Sequence, residues 1–304
     1  MSTSRDIRVA VASYAFNSVP TVEDWRMLAN AWVQHAADLG ADLIVFPEYA
    51  SLEMLAAFPP DVQQDMGRNL STLQELLDSY LETFALAAAQ AGKLIVAPSI
   101  PVWVEDRYVN RAFVFSPRGM VGWQDKFFMT RFEDEDWGVA SPADLELTLF
   151  EAEWGSFGIQ TCYDVEFPLG SGLLCGAGAE LIVVPSCTET VRGATRVHVG
   201  ARARALENQC WVAVAQTVGD APWSPVVDVN YGYAAVYSTP DAGLPEDGIL
   251  GTLDVNDPGW LVCSIDFEAI ARVRREGQVF NFRHSQEQGY GLQGREISVV
   301  RRRV

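Results

Sequence analysis

Residues 8–16, RVAVASYAF, alternate in the two-residue rhythm of a half-buried strand. The next segment, TVEDWRMLANAWVQHAADLG (21–40), changes to helical spacing, with Thr21 and the acids behind it as a start signal and Gly40 as a stop. A short apolar run follows, ADLIVFPEYA, which breaks at Pro47 and Glu48. The spacing predicts a second helix from Ser71, with Ser71 and Gln74 as a capping box, to Gly92, and KLIVAPSIPV as the strand after it. GAGAELIVVPS (176–186) is a third unit of the same kind.

The triplet LIVFPE, LIVAPS and LIVVPS is the most regular feature of the chain, each copy following a glycine-terminated helix and breaking at proline in the same place. Three copies so far apart do not make a solenoid. They read as equivalent strands of one α/β fold whose ends share an edge. Further strands are expected at 109–117, 147–162, 210–218, 231–239, 248–255 and 260–266. Several are consecutive, so antiparallel hairpins are mixed in. No linker or shift of composition divides the chain, and the expectation is a single domain of two sheets covered by a few helices.

The 22 basic and 40 acidic residues leave a net charge of −18, which argues against nucleic acid or an anionic membrane as partner. The terminal RRRV is too short to offset it. The first residues run straight into a strand without a secretory apolar stretch, and no window reaches the length of a membrane span. A soluble, cytoplasmic protein is expected. Five cysteines, at 162, 175, 187, 210 and 263, form no CxxC pair, so neither a disulfide framework nor a structural zinc site is expected. Four of them sit in apolar or small-residue settings and read as packing thiols. Only His35, His198 and His284 supply imidazoles.

Three stretches place reactive groups at strand ends: VFPEYASLE with Glu48, GWQDKFFMTRFE with Lys126, and GIQTCYDVEFP with Cys162. Together and in this order they resemble the nitrilase superfamily of carbon–nitrogen hydrolases. NRAFVFSPRG (110–119) and RALEN (204–208) extend the likeness, which covers residues 1–267. The resemblance implies a four-layer α-β-β-α sandwich, a homodimer or larger homo-oligomer paired through the helical face after the cysteine, and no cofactor or metal. Residues 268–304 are left as a C-terminal extension that could pack on a partner subunit.

The same resemblance implies a mechanism. A thiol is mostly protonated at neutral pH and needs a base or a cation to ionise it. Here Glu48 would be the base, Lys126 the cation that favours thiolate and oxyanion, and Cys162 the nucleophile. The backbone N–H of Tyr163 would be a second oxyanion donor, and Glu133 would position lysine and substrate. Asp164 and Glu166 would tie down the elbow that carries the cysteine, with Pro168 opening the next helix. Candidates for the substrate pocket are Tyr49, Trp137 and Trp223 as aromatic wall, and Arg192 and Arg196 as binders of a substrate carboxylate. The sequence CYD resembles the amidase branch, so the expected substrate is a small amide. Hydrolysis of a nitrile or an N-carbamyl group, and a binding protein without turnover on the same fold, remain open.

Overall fold

The computed structural model describes residues 5–286 and 300–302. The first half of the chain contributes β1 (Asp6–Ala15), β2 (Leu43–Val45), β3 (Leu94–Val96), β4 (Ile100–Val104), β5 (Arg107–Ser116) and β6 (Gly119–Asp125). β1, β2 and β3 run parallel in register, Val9 beside Leu43 and Leu43 beside Leu94. β5 joins them antiparallel and carries β4 and β6. The second half contributes β7 (Phe150–Ala152), β8 (Gly155–Ile159), β9 (Leu181–Ser186), β10 (Trp211–Asp220), β11 (Val229–Asn230), β12 (Ala235–Tyr237) and β13 (Ile249–Thr252), with β8, β9 and β10 parallel. β14 (Gly259–Asp266) returns antiparallel along β1.

These strands form one hydrogen-bonded sheet. The halves join at a seam three residues long, where Ser13–Ala15 of β1 pair with Gln216–Val218 of β10. The period-two pattern then sorts side chains into layers. Val9, Val11, Leu43 and Val45 from one half meet Leu181, Val183, Trp211 and Ala213 from the other in a central core. The intervening Ala10, Ala12 and Ile44 face outwards, beneath α1 (Val22–Asp38), α2 (Pro60–Gln63), α3 (Met66–Glu75) and α4 (Leu77–Ala91). Ile182, Val184, Val212 and Val214 likewise face α5 (Pro168–Gly176) and α6 (Val191–Asn208). The result is the expected α-β-β-α sandwich, made from a single folded sheet rather than two separate ones. Trp25 and Phe84 are almost wholly buried in the outer core, each stabilising the fold by roughly 1.5–3 kcal/mol.

Several boundaries differ from the pattern. Thr21 caps α1 as expected, accepting from Asp24 N–H. The helix expected from Ser71 is two helices, because Asp65 takes the capping position of α3 and accepts from Arg68 N–H. Ser71 lies inside α3 and turns its hydroxyl back to the Arg68 carbonyl at 3.1 Å. The strand expected over 147–162 is the hairpin β7–β8, which ends at Ile159. β6 escapes pattern reading because two glycines interrupt it and Met120, Val121 and Trp123 are exposed.

After β14 the chain forms α7 (Phe267–Glu276) and α8 (Asn281–Gln286). Phe267, Ile270 and Val273 are buried in this chain's own core. The Arg274 guanidinium donates to the carbonyls of Ala179, Asn208 and Gln209, each at 3.0 Å. Of the expected C-terminal extension, residues 287–299, 303 and 304 lie outside the described residues. No helix among the described residues is long and apolar enough to cross a membrane.

Candidate active site

The three LIV strands end on Glu48, Ser99 and Ser186, and these ends converge. Tyr49 follows Glu48 with left-handed backbone, φ +57°, and its N–H donates to Ser99 Oγ at 3.1 Å. Ser51 Oγ donates to the Ser99 carbonyl at 2.7 Å. This tight turn holds the Glu48 carboxyl inward, where it is 1% exposed. Its Oε1 accepts from Asn110 Nδ2 at 2.8 Å and from Lys126 Nζ at 2.9 Å, and its Oε2 accepts from Cys187 N–H at 2.9 Å.

Lys126 follows β6, and its own N–H is pinned to the Asn110 carbonyl at 2.9 Å. Its ammonium also donates to Glu133 Oε1 at 2.9 Å and Oε2 at 2.6 Å. Glu133 opens a wide helical turn, Glu133–Trp137, and accepts further from Tyr49 Oη at 2.6 Å and from Thr130 N–H and Oγ1 at 2.9 and 2.8 Å. One buried cation therefore lies between two buried carboxylates. Burial alone would depress the Lys126 ammonium, but Glu133 and Glu48 together hold it well above its ordinary value. Burial raises Glu48 despite the pull of Lys126. Burial opposes ionisation of Glu133 too, but Lys126 and the surrounding donors bring it below the usual carboxylate range. Glu133 is thus held as the anion of the pair, while Glu48 keeps a proton more readily than an ordinary carboxyl.

Cys162 follows β8 with φ +49°, a left-handed conformation that costs a non-glycine residue about 1–3 kcal/mol. The surrounding structure offsets this. Arg204 Nη1 donates to the Val165 carbonyl at 3.1 Å, and α6 approaches so closely that a Cβ on Gly200 would stand 2.9 Å from that same oxygen. Asp164 accepts from Phe128 N–H at 2.8 Å and from Phe127 N–H at 3.2 Å, fastening the cysteine elbow to the lysine segment. Sγ accepts from Ser186 Oγ at 3.4 Å and donates to the Cys187 carbonyl at 3.6 Å. The Glu48 carboxyl lies close enough to act on the sulfur electrostatically. Burial and Glu48 push the thiol well above its ordinary value, against the pull of Lys126. Burial thus favours the thiol form of the resting sulfur.

These groups open on a cavity of about 450 Å³, lined by Glu48, Lys126, Glu133 and Cys162 and, towards solvent, by Tyr163, Glu166, Glu189, Arg196 and Asp228. Tyr49 also lines it. Three other pocket candidates do not. Trp137 is buried behind Tyr49, ring centroids 4.9 Å apart. Arg192, in the first turn of α6, projects into solvent, and Trp223 packs edge-on against Phe16. Arg196 reaches the cavity already paired with Glu166 at 3.1 Å.

Sequence reasoning missed Asn110, Thr130, Ser186 and Cys187. Ser186 had a signal, since it occupies the place of Glu48 in the third strand repeat. Cys187, read as a packing thiol, forms part of the cavity wall, and burial and Glu48 push its thiol up to about 12. Among the described residues, no group of three or more His, Cys, Asp or Glu is placed to hold a metal ion.

Residues 8–250 match the family model of carbon–nitrogen hydrolases. The probable hydrolase YhcX of Bacillus subtilis is 27% identical over 287 residues, covering 94% of this chain and 55% of that protein, so this chain spans about half the length of that relative. Omega-amidase NIT2 of Xenopus tropicalis is 24% identical over 254 residues, covering 80% of this chain and 83% of that one. The crystal structure of a carbon–nitrogen hydrolase from Helicobacter pylori superposes with a TM-score of 0.73 at 18% identity, over 90% of this chain and 93% of the other. Since the family match runs from β1 into β13, over residues 8–250 of the 304, the chain belongs to the carbon–nitrogen hydrolase family.

Proposed function

We propose that this chain hydrolyses a small non-peptide amide through a thioester on Cys162. The observation that carries the reading is the ammonium of Lys126 held at 2.9 Å from Glu48 and 2.6 Å from Glu133 on the wall of the cavity that Cys162 opens into. In this reading Glu48 takes the thiol proton as Sγ attacks the amide carbon. Lys126 and the Tyr163 N–H receive the negative charge that builds on the amide oxygen. Loss of one such donor costs on the order of 3 kcal/mol of transition-state stabilisation. As the C–N bond breaks, Glu48 gives its proton to the leaving nitrogen, which departs as ammonia or an amine. Water then attacks the thioester, Glu48 takes a proton from it, and the carboxylic acid leaves as the proton returns to sulfur. Glu133 keeps the lysine charged and in place throughout.

The mouth bears on the substrate. Arg196 is engaged by Glu166, and Glu189 and Asp228 line the same opening, which supports a neutral amide over a dicarboxylate monoamide. The test is ammonia release from short amides, dicarboxylate monoamides, ureides and nitriles. Turnover of short neutral amides, abolished by Cys162→Ala, is expected. Turnover confined to nitriles or ureides would replace the amidase reading, and no turnover of any class would favour a binding protein.

The proposal extends to a homodimer in the cytoplasm. All five cysteines are free, as a reducing compartment keeps them. Leu169 and Leu173 of α5 and Val199 of α6 are 65%, 56% and 62% exposed, which supports pairing of this face with its copy in a second chain. Sedimentation equilibrium of the wild type and of Leu173→Glu tests it, and a monomeric wild type would refute it.

A further inference from the structure

Behind Cys162 a row of buried polar side chains leads away from the cavity into the layer between β9, β10, β12 and α6. The Tyr237 hydroxyl lies 2.9 Å from His198 Nδ1, and His198 Nε2 lies 2.8 Å from Gln216 Oε1. Gln216 Nε2 donates to Ser186 Oγ at 3.4 Å and to Thr188 Oγ1 at 3.2 Å. Ser186 Oγ donates to Cys162 Sγ at 3.4 Å. All of these residues are buried, Ser186 and Gln216 with no exposed surface at all. A polar path of this length through a core is costly unless every member is satisfied.

The direction of every hydrogen bond in the row is determined. Tyr233 N–H, which can only donate, lies 2.9 Å from Gln216 Oε1 and so fixes which end of the amide is oxygen. His198 must then donate through Nε2, leaving Nδ1 to accept from Tyr237. Its ring is stacked on Tyr233, centroids 3.8 Å apart and planes within 8°. Burial pushes this imidazole down to about 4, so it is neutral, as the row requires. The Gln216 side chain packs against Gly232, filling the space where a Cβ there would stand 2.5 Å from Oε1. With Gln216 Nε2 occupying the acceptor side of Ser186 Oγ, the serine proton is aimed at sulfur.

We propose that Ser186 is the donor that holds and stabilises the Cys162 thiolate, and that Gln216, His198 and Tyr237 are positioning residues that act through it. The thiol's own hydrogen bond to the Cys187 carbonyl is lost when the proton leaves, whereas the Ser186 bond strengthens as its acceptor gains charge. Ser186 thus favours the reactive form of the sulfur over its resting form. The inference rests on the reading of Cys162 as nucleophile.

The experiment measures iodoacetamide alkylation of Cys162 by mass spectrometry, beside steady-state turnover. Ser186→Ala should slow alkylation and lower kcat by about tenfold, the worth of one hydrogen bond to a charged acceptor. KM should change by less than about twofold, because Ser186 does not line the cavity. Ser186→Thr, which keeps the hydroxyl, should restore most of both rates. Gln216→Met should slow both, and the double variant Ser186→Ala/Gln216→Met should be no slower than Ser186→Ala alone. Alkylation of Ser186→Ala at the wild-type rate would overturn the donor role, and additive losses in the double variant would overturn the relay. If Gln216→Met fails to fold, the alanine and threonine variants decide the donor role. Wild-type Cys162 that reacts no faster than the other four thiols would instead defeat the nucleophile reading itself.

Discussion

Replacing Lys126 by methionine removes the one positive charge between Glu48 and Glu133 while keeping the length of the side chain. The ammonium makes contacts of 2.9, 2.9 and 2.6 Å with the two carboxyls, and all three side chains are at most 3% exposed, so solvent screens little. Breaking a buried pair in this way typically costs about 3–5 kcal/mol, because the partners stay behind uncompensated. For a chain of this size that is a fall in Tm on the order of 10 °C. The cost depends on pH. Without the lysine Glu133 rises above its unfolded value of about 4.3 and Glu48, already raised, rises further, so each contributes stability below that pH and loses it as pH climbs. The variant should therefore approach wild type near pH 4 to 5 and fall furthest behind at pH 8, by about 3–5 kcal/mol in urea titrations. Turnover should drop by about 10²–10³-fold, the usual effect of losing an oxyanion donor. A stability deficit that is the same at acid and alkaline pH would refute the electrostatic account of the triad. A variant as stable as wild type at pH 8 would do the same.

Cys162→Ala should abolish ammonia release, and iodoacetamide should label Cys162 in the wild type ahead of Cys175 and Cys210, which have no exposed surface; uniform slow labelling would contradict this. Asp164 is pushed up to about 7 by burial, against the N–H donors of Phe128 and Phe127. Its folded value stands above the unfolded one, near 3.9, so it stabilises below about pH 4 and that share is lost as pH rises through 7. Asp164→Asn should flatten this decline in urea titrations between pH 5 and 8, and parallel curves for the two proteins would count against it. Gly200→Ala drives a methyl to 2.9 Å from the Val165 carbonyl, and should cost about 1–3 kcal/mol and slow turnover by shifting the elbow, whereas an unchanged Tm and kcat would show that α6 can retreat.

The parts of this molecule legible in its sequence are those where a local pattern decides the outcome. Period-two alternation identified the strands that carry the central core, since one register slip would move Val9 and Val11 from the inner layer to the outer one. Glu48, Lys126 and Cys162 were legible as a set, because FPE, DK and CYD stand in the order that the family resemblance implies, whereas the strand before Lys126 gives no periodic signal of its own. The pocket residues were less so. Nothing local distinguishes Arg196 from Arg192, and it is four further residues along α6, about one turn, that bring the former to the cavity. Trp137 fails as a wall because Tyr49 stands in front of it, a relation between residues 88 positions apart that no window contains. The row from Ser186 to Tyr237 draws one residue from each of several elements, so only the assembled sheet displays it.

The seam between the halves has a consequence for how activity appears during folding. Glu48, Lys126 and Glu133 come from one side of the Ser13–Ala15 junction with β10, and Cys162, Ser186 and Cys187 from the other. The proposed mechanism therefore divides its nucleophile and its base between the two sides. On that mechanism a refolding chain with one side complete should turn over no substrate, however native its circular dichroism. The return of turnover would then be a clock for the last closure of the molecule, read from chemistry rather than from shape.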